Sequence, residues 1–132
     1  MTVIHLPITS LTAMCGAIIL LTLTWKVIGL RRKGGVVLGD NGDRVLTKAI
    51  RGQANAAEQF PMALIMLGLA ELQSANSAVL GVLALTLIIG RSMHAAYFGI
   101  HGLTWRLRFY GMFMTLIAQG GLILTLLVTL VI

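Results

Sequence analysis

The stretch AIRGQANAAEQFP, Ala49–Pro61, runs without a break into FPMALIMLGLA, residues 60–70. The first piece holds Arg51, Gln53, Asn55, Glu58 and Gln59; the second is apolar enough to lie in hydrocarbon. On a helix at about 100° per residue, Arg44, Lys48, Arg51, Asn55 and Glu58 share one stripe about 80° wide, with Gln59 at its border and Gln53 pointing away. Such a stripe cannot face lipid, because a lone charge at bilayer depth costs ~2.5–3.5 kcal/mol even on the mildest scale. It must meet another helix, another subunit or a wet cavity. A buried Arg51–Glu58 network that only ties helices together is one reading. A functional polar site is the other, since ionisable groups inside a membrane usually mark one.

The rest of the chain agrees that this helix is membrane-embedded. Of 132 residues, 58% are hydrophobic and only 11% charged, against roughly a quarter charged in soluble domains. Apolar runs of about 20 residues are long enough to cross a bilayer. They fall at 8–30, 45–72, 78–100 and 112–132, the second with Pro61 inside it, where a kink is expected. The expected fold is an all-α membrane protein, a single domain forming an antiparallel four-helix transmembrane bundle in the lipid bilayer. The net charge of +6 reads as topology rather than as a nucleic-acid surface. All ten Lys and Arg lie between residues 26 and 51 or between 91 and 108, around loops one and three, which the positive-inside rule places in the cytoplasm. No basic region precedes the first apolar run, so no cleavable signal is expected. Cys15 reads as a small hydrophobe within its span.

Further candidates cluster toward the basic side. Arg91 and His94 share a face of the third span, with Phe98 close to it and Tyr97 further round. The spacing of His94 and His101 makes no convincing metal site, since carboxylates are few and no thiol is near. Arg106 and Arg108 stand at the mouth of the fourth span, and Arg31, Arg32 and Lys33 at the end of the first. Each alone is a topology charge or a head-group contact. Together they outline a cationic pocket suited to an anionic, water-soluble ligand above a greasy neighbour.

At this point the chain resembles the membrane-associated proteins in eicosanoid and glutathione metabolism, the MAPEG family. The second-helix motif of that family is an Arg, an Asn four residues on, a Glu three further and a Pro after another three. Arg51, Asn55, Glu58 and Pro61 match it; the Gly90-Arg91 pair in the third span and the RFYGM segment, Arg108 to Met112, at the start of the fourth resemble the family too. The resemblance implies a bacterial inner membrane protein. It also implies a homotrimer with glutathione as co-substrate between subunits and a hydrophobic small-molecule substrate entering from the bilayer. Arg51, Asn55 and Glu58 would hold glutathione, with Gln59, Arg91, His94 and Tyr97 lining its site. Arg51 suits a carboxylate because its fork is planar and bidentate.

By the same resemblance Arg108, or Arg106 beside it, would face the glutathione thiol, with Arg31 or Arg32 assisting. Lowering a thiol from pKa ~8.5 to ~6.5 requires ~2.7 kcal/mol of preferential stabilisation of the anion, which one guanidinium in a partly dry site can supply. The implied activity is that of a glutathione transferase or peroxidase acting on hydrophobic electrophiles. Gln59 and His94 stand where glutathione-using members commonly carry tyrosines. A non-catalytic ligand- or lipid-binding scaffold of the same fold is therefore the second reading. A small proton-coupled exporter is the third, although the first span lacks the carboxylate that class needs.

Overall fold

The computed structural model describes residues 5–131. Those residues form four helices: α1 (Pro7–Gly34), α2 (Arg44–Leu72), α3 (Ser77–Gly99) and α4 (Trp105–Val131). α1, α3 and α4 are long and apolar enough to cross a membrane. α2, with 29 residues and about 44 Å at 1.5 Å per residue, matches them in length but carries its charges in its first half. Short connections make each helix antiparallel to the next.

The helix ends are set by local chemistry. Asp43 accepts from the N–H of Val45 and opens α2, and Asn76 accepts from Ala78 and Val79 and opens α3, both ordinary N-caps. α1 closes at Gly35 in the left-handed conformation, φ 63°, with Arg31, Arg32 and Lys33 in its last turn, where cations favour the helix dipole. Asp40 steadies the connection to α2, accepting from the Thr47 hydroxyl and the Gly42 N–H. Those bonds hold its carboxyl below the usual carboxylate range.

The start of α1 is capped from a distance. Leu6 offers no side-chain cap. Instead the Glu71 carboxylate, at the end of α2, accepts from the N–H of Ile8 at 2.9 Å, the N–H of Thr9 at 2.8 Å and the Thr9 hydroxyl at 2.6 Å. Glu71 reads from sequence as a charge left at the wet end of its helix; in the fold it joins two helices.

Two boundaries differ from the hydropathy reading. α4 begins at Trp105 rather than near 112, so most of the segment read as a basic loop is helix. Arg106 and Arg108 hide this from an apolar window, although charges in a first turn outside hydrocarbon cost little. Pro61 does not end α2, which runs through it. Pro61 and Ala57, whose carbonyl loses its partner, are both exposed.

Small residues bring the helices together. α2 buries Leu46, Ala49, Gly52, Ala56, Phe60, Ala63, Leu67 and Ala70, at spacings of three and four that form one stripe. α3 and α4 approach at backbone distance. A Cβ added at Gly90 would lie 2.8 Å from the Gly111 carbonyl, and one at Gly111 would lie 2.7 Å from the His94 nitrogen. α2 and α3 each contact every other helix, whereas α1 and α4 do not meet within the described residues. The bundle is therefore a diamond, with α1 and α4 at its far corners.

Candidate functional site

Between α2, α3 and α4, toward the basic end, a cleft of about 640 Å³ opens, within the usual range of ligand pockets. Its polar part comes from Arg51 and Asn55 of α2, His94 of α3 and Arg108 of α4. Its apolar part comes from Phe98 of α3 and from Trp105, Phe109, Phe113 and Leu116 of α4. Arg51 and Arg108 are exposed, and no carboxylate lines the cleft. Two guanidiniums beside an aromatic wall, with no counter-charge, form a site for an anion attached to or adjoining something greasy. The Arg108 guanidinium lies 5.8 Å from the centroid of the Phe98 ring, within cation–π range, which steadies it over the cleft wall.

Beneath this surface lies a buried polar layer. Arg91 is fully buried and His94 nearly so. Arg91 Nη1 donates to Asn55 Oδ1 at 3.1 Å, and Nη2 lies 3.5 Å from His94 Nδ1. A guanidinium only donates, so in this contact His94 Nδ1 can serve only as the acceptor. Asn55 spends its carbonyl oxygen on Arg91, which leaves its NH₂ as the donor for whatever occupies the cleft. Arg91 Nε has no partner among the described residues. The Phe60 ring, 5.9 Å away, supplies a further favourable contact.

The remaining candidates lie elsewhere. Glu58 is exposed and is not part of the cleft wall. Gln59 is tied to α4, where Gln119 Nε2 donates to both its backbone and its side-chain oxygen at 3.2 Å. Tyr97 turns to the other side of Phe98, under the Lys48 ammonium. Arg31 is at the end of α1, where it donates to the Val37 carbonyl. Since α1 does not meet α4, the structure does not bring Arg31 into the cleft of its own chain. Of the two arginines at the mouth of α4, Arg108 lines the cleft and Arg106 does not. The single charged stripe of α2 is thus divided: Arg51 and Asn55 face the cleft, while Arg44 and Lys48 lie beyond Phe98.

Sequence reasoning missed the aromatic wall. Trp105, Phe109 and Phe113 recur every fourth residue, a helical signal that begins where a loop was expected. It also missed Gly52, where an added Cβ would collide with the Phe98 side chain. Only glycine lets Phe98 lie against α2 and form one side of the cleft.

Two sequence comparisons relate this chain to known proteins. The inner membrane protein YecN of Escherichia coli strain K12 is 32% identical over 105 residues, covering 80% of this chain and 79% of its own. YecN of the O6:H1 strain CFT073 matches to the same extent. Together with the apolar helices, this likeness makes the chain a bacterial inner membrane protein. The MAPEG family profile matches residues 9–128, which takes in all of α2 and α3 and every residue of the cleft, and the chain belongs to the MAPEG family.

Proposed function

We propose that the cleft binds glutathione and activates its thiol against hydrophobic electrophiles, as a membrane transferase or peroxidase. The observation that carries this reading is the convergence of Arg51, Asn55 and Arg108 on a cleft with an aromatic wall and no acid, in a MAPEG chain. Arg51 grips a glutathione carboxylate. Asn55, its oxygen engaged by Arg91, donates its NH₂ to a glutathione carbonyl. Arg108 faces the thiol and favours the thiolate, the nucleophilic form. The thiolate then attacks an electrophile lying on Trp105, Phe109 and Phe113, and the S–C bond forms as the leaving group departs.

The same reading needs neighbouring copies. Glu58, exposed on the single chain, meets the glutathione amino group at a subunit boundary. Arg31, which does not line the cleft of its own chain, serves the cleft of the adjoining subunit in a homotrimer. Gln59, Arg91, His94 and Tyr97 act as support, packing or orienting the groups that touch the ligand.

The test is a glutathione titration of the purified full-length protein in detergent, compared with Arg51→Ala. Wild type binds and the variant loses most of its affinity. Absence of binding at millimolar glutathione removes the proposal. Arg108→Ala should retain binding and lose turnover of chlorodinitrobenzene, and an unchanged rate removes Arg108 from the thiolate role.

One observation favours a second reading, a ligand-binding scaffold without catalysis. Gln59 is committed to Gln119 and presents nothing to the cleft, where glutathione-using relatives commonly carry a tyrosine. Binding of glutathione without turnover of any electrophile would support it.

A further inference from the structure

Phe98 separates the cleft from a second, smaller recess of about 200 Å³. Lys26 of α1, Arg44 and Lys48 of α2 and His101 of the α3–α4 connection converge on it. Three of these are cations at neutral pH, and no carboxylate lines the space. The nearest acids in sequence are engaged elsewhere, Asp43 on the Val45 N–H and Asp40 on Thr47 and Gly42.

Two of these cations, Lys26 and Lys48, are half-buried and held in place, unlike solvated surface lysines; Arg44 is exposed. Lys26 donates to the Gly99 carbonyl at the end of α3, which spends one of its three donors. Lys48 lies over the Tyr97 ring, 3.9 Å from its centroid, in cation–π contact. Arg44 stands in the first turn of α2, where the helix dipole adds positive potential. Charges of one sign around a common space repel each other, and a bound anion relieves that repulsion. About 200 Å³ is the volume of about seven liquid waters at ~30 Å³ each. It admits a phosphate ester and is too small for a tripeptide. Val45 and Ile100, both exposed, supply an apolar rim.

We propose that this recess is a second anion site, separate from the cleft, that takes a phosphate group. The phosphate is that of a phospholipid head group, whose acyl chains run down past Val45 and Ile100, or free phosphate. The chemistry at Lys26, Arg44 and Lys48 is the same for both.

The full-length protein in uncharged detergent is offered phosphatidylglycerol or phosphatidylcholine and read by native mass spectrometry. Inorganic phosphate is titrated in parallel by calorimetry. The variants are Arg44→Gln with Lys48→Gln, Lys48→Met, which keeps the stem over Tyr97, and a control, Arg32→Gln with Lys33→Gln, on the exposed end of α1. Phosphatidylglycerol is retained by wild type and control in preference to phosphatidylcholine, and the Arg44/Lys48 variant binds it roughly tenfold or more weakly. Lys48→Met shifts in the same direction, which keeps the test valid should the double variant fold poorly. If inorganic phosphate binds with the same dependence while phosphatidylglycerol does not, free phosphate is the ligand. The proposal is overturned if Lys48→Met and the Arg44/Lys48 variant keep wild-type affinity for both. It is equally overturned if the control loses as much, since affinity would then follow total charge. A glutathione titration on the Lys48→Met and Arg44/Lys48 samples reads the cleft independently and should not change.

Discussion

Arg91 carries a full charge into the bundle and finds an amide and an imidazole there, with no acid. A hydrogen bond to a charged group contributes ~1.5–3 kcal/mol. Asn55→Leu should therefore lower stability by ~2 kcal/mol, read as a shifted unfolding midpoint in detergent. Adding Arg91→Met should recover part of that loss, because an uncompensated buried cation costs more than an apolar side chain of similar length. If the double variant is no more stable than Asn55→Leu alone, the bond carries little of the energy assigned to it. At this scale part of the grouping was legible: a run of polar residues on an apolar helix admits few explanations, and Arg51, Asn55, His94 and Arg108 line one cleft, whereas Arg31, Glu58, Gln59, Arg91 and Tyr97 do not. Orientation was not legible. Whether Gln59 faces a ligand or Gln119 depends on what α4 places opposite it, and a helical wheel of α2 contains nothing of α4.

Between elements, the energetics sit in two contacts of different kinds. The α3–α4 seam depends on the absence of side chains at Gly90 and Gly111. Gly90→Val would drive a methyl group into the Gly111 carbonyl and should cost ~1–3 kcal/mol. Gly120→Ala, where nothing lies within 4 Å of the added Cβ, should be close to neutral or slightly stabilising. Thermal melts of the two variants in one detergent compare them directly, and equal losses would contradict the packing. The α1–α2 contact depends on Glu71. Glu71→Ala removes the cap of α1 and should cost ~1–2 kcal/mol, with faster hydrogen exchange at Ile8 and Thr9, whereas Glu71→Gln, which keeps an acceptor, should cost less. Apolar length revealed that four helices exist but not where α4 starts, because hydropathy averages Arg106 and Arg108 against Trp105 and Phe109. The four-residue aromatic spacing held that information.

For the molecule as a whole, the diamond arrangement matters most. With α1 and α4 at opposite corners, Arg31 does not line the cleft that Arg108 lines. On the proposed trimer, both take part in turnover from two different chains. Arg31→Ala and Arg51→Ala should each be inactive when expressed alone, whereas chains carrying one or the other, co-expressed and purified as mixed assemblies, should regain a fraction of wild-type turnover. Mixed assemblies as inactive as their parents would confine each site to a single chain. The layout of spans was legible because bilayer thickness dictates helix length. The order of packing was not, since every apolar face looks alike until small residues such as Gly52, Gly90 and Gly111 decide which pairs come close.

Glu71 also bears on biosynthesis. The acceptor that closes the amino end of α1 lies 63 residues downstream of the Ile8 donor it serves, so the ribosome delivers the first helix well before its lid. During that interval the two peptide donors at its start lack the acceptor that the fold gives them. A chain arrested before residue 71 would leave its leading helix without that cap.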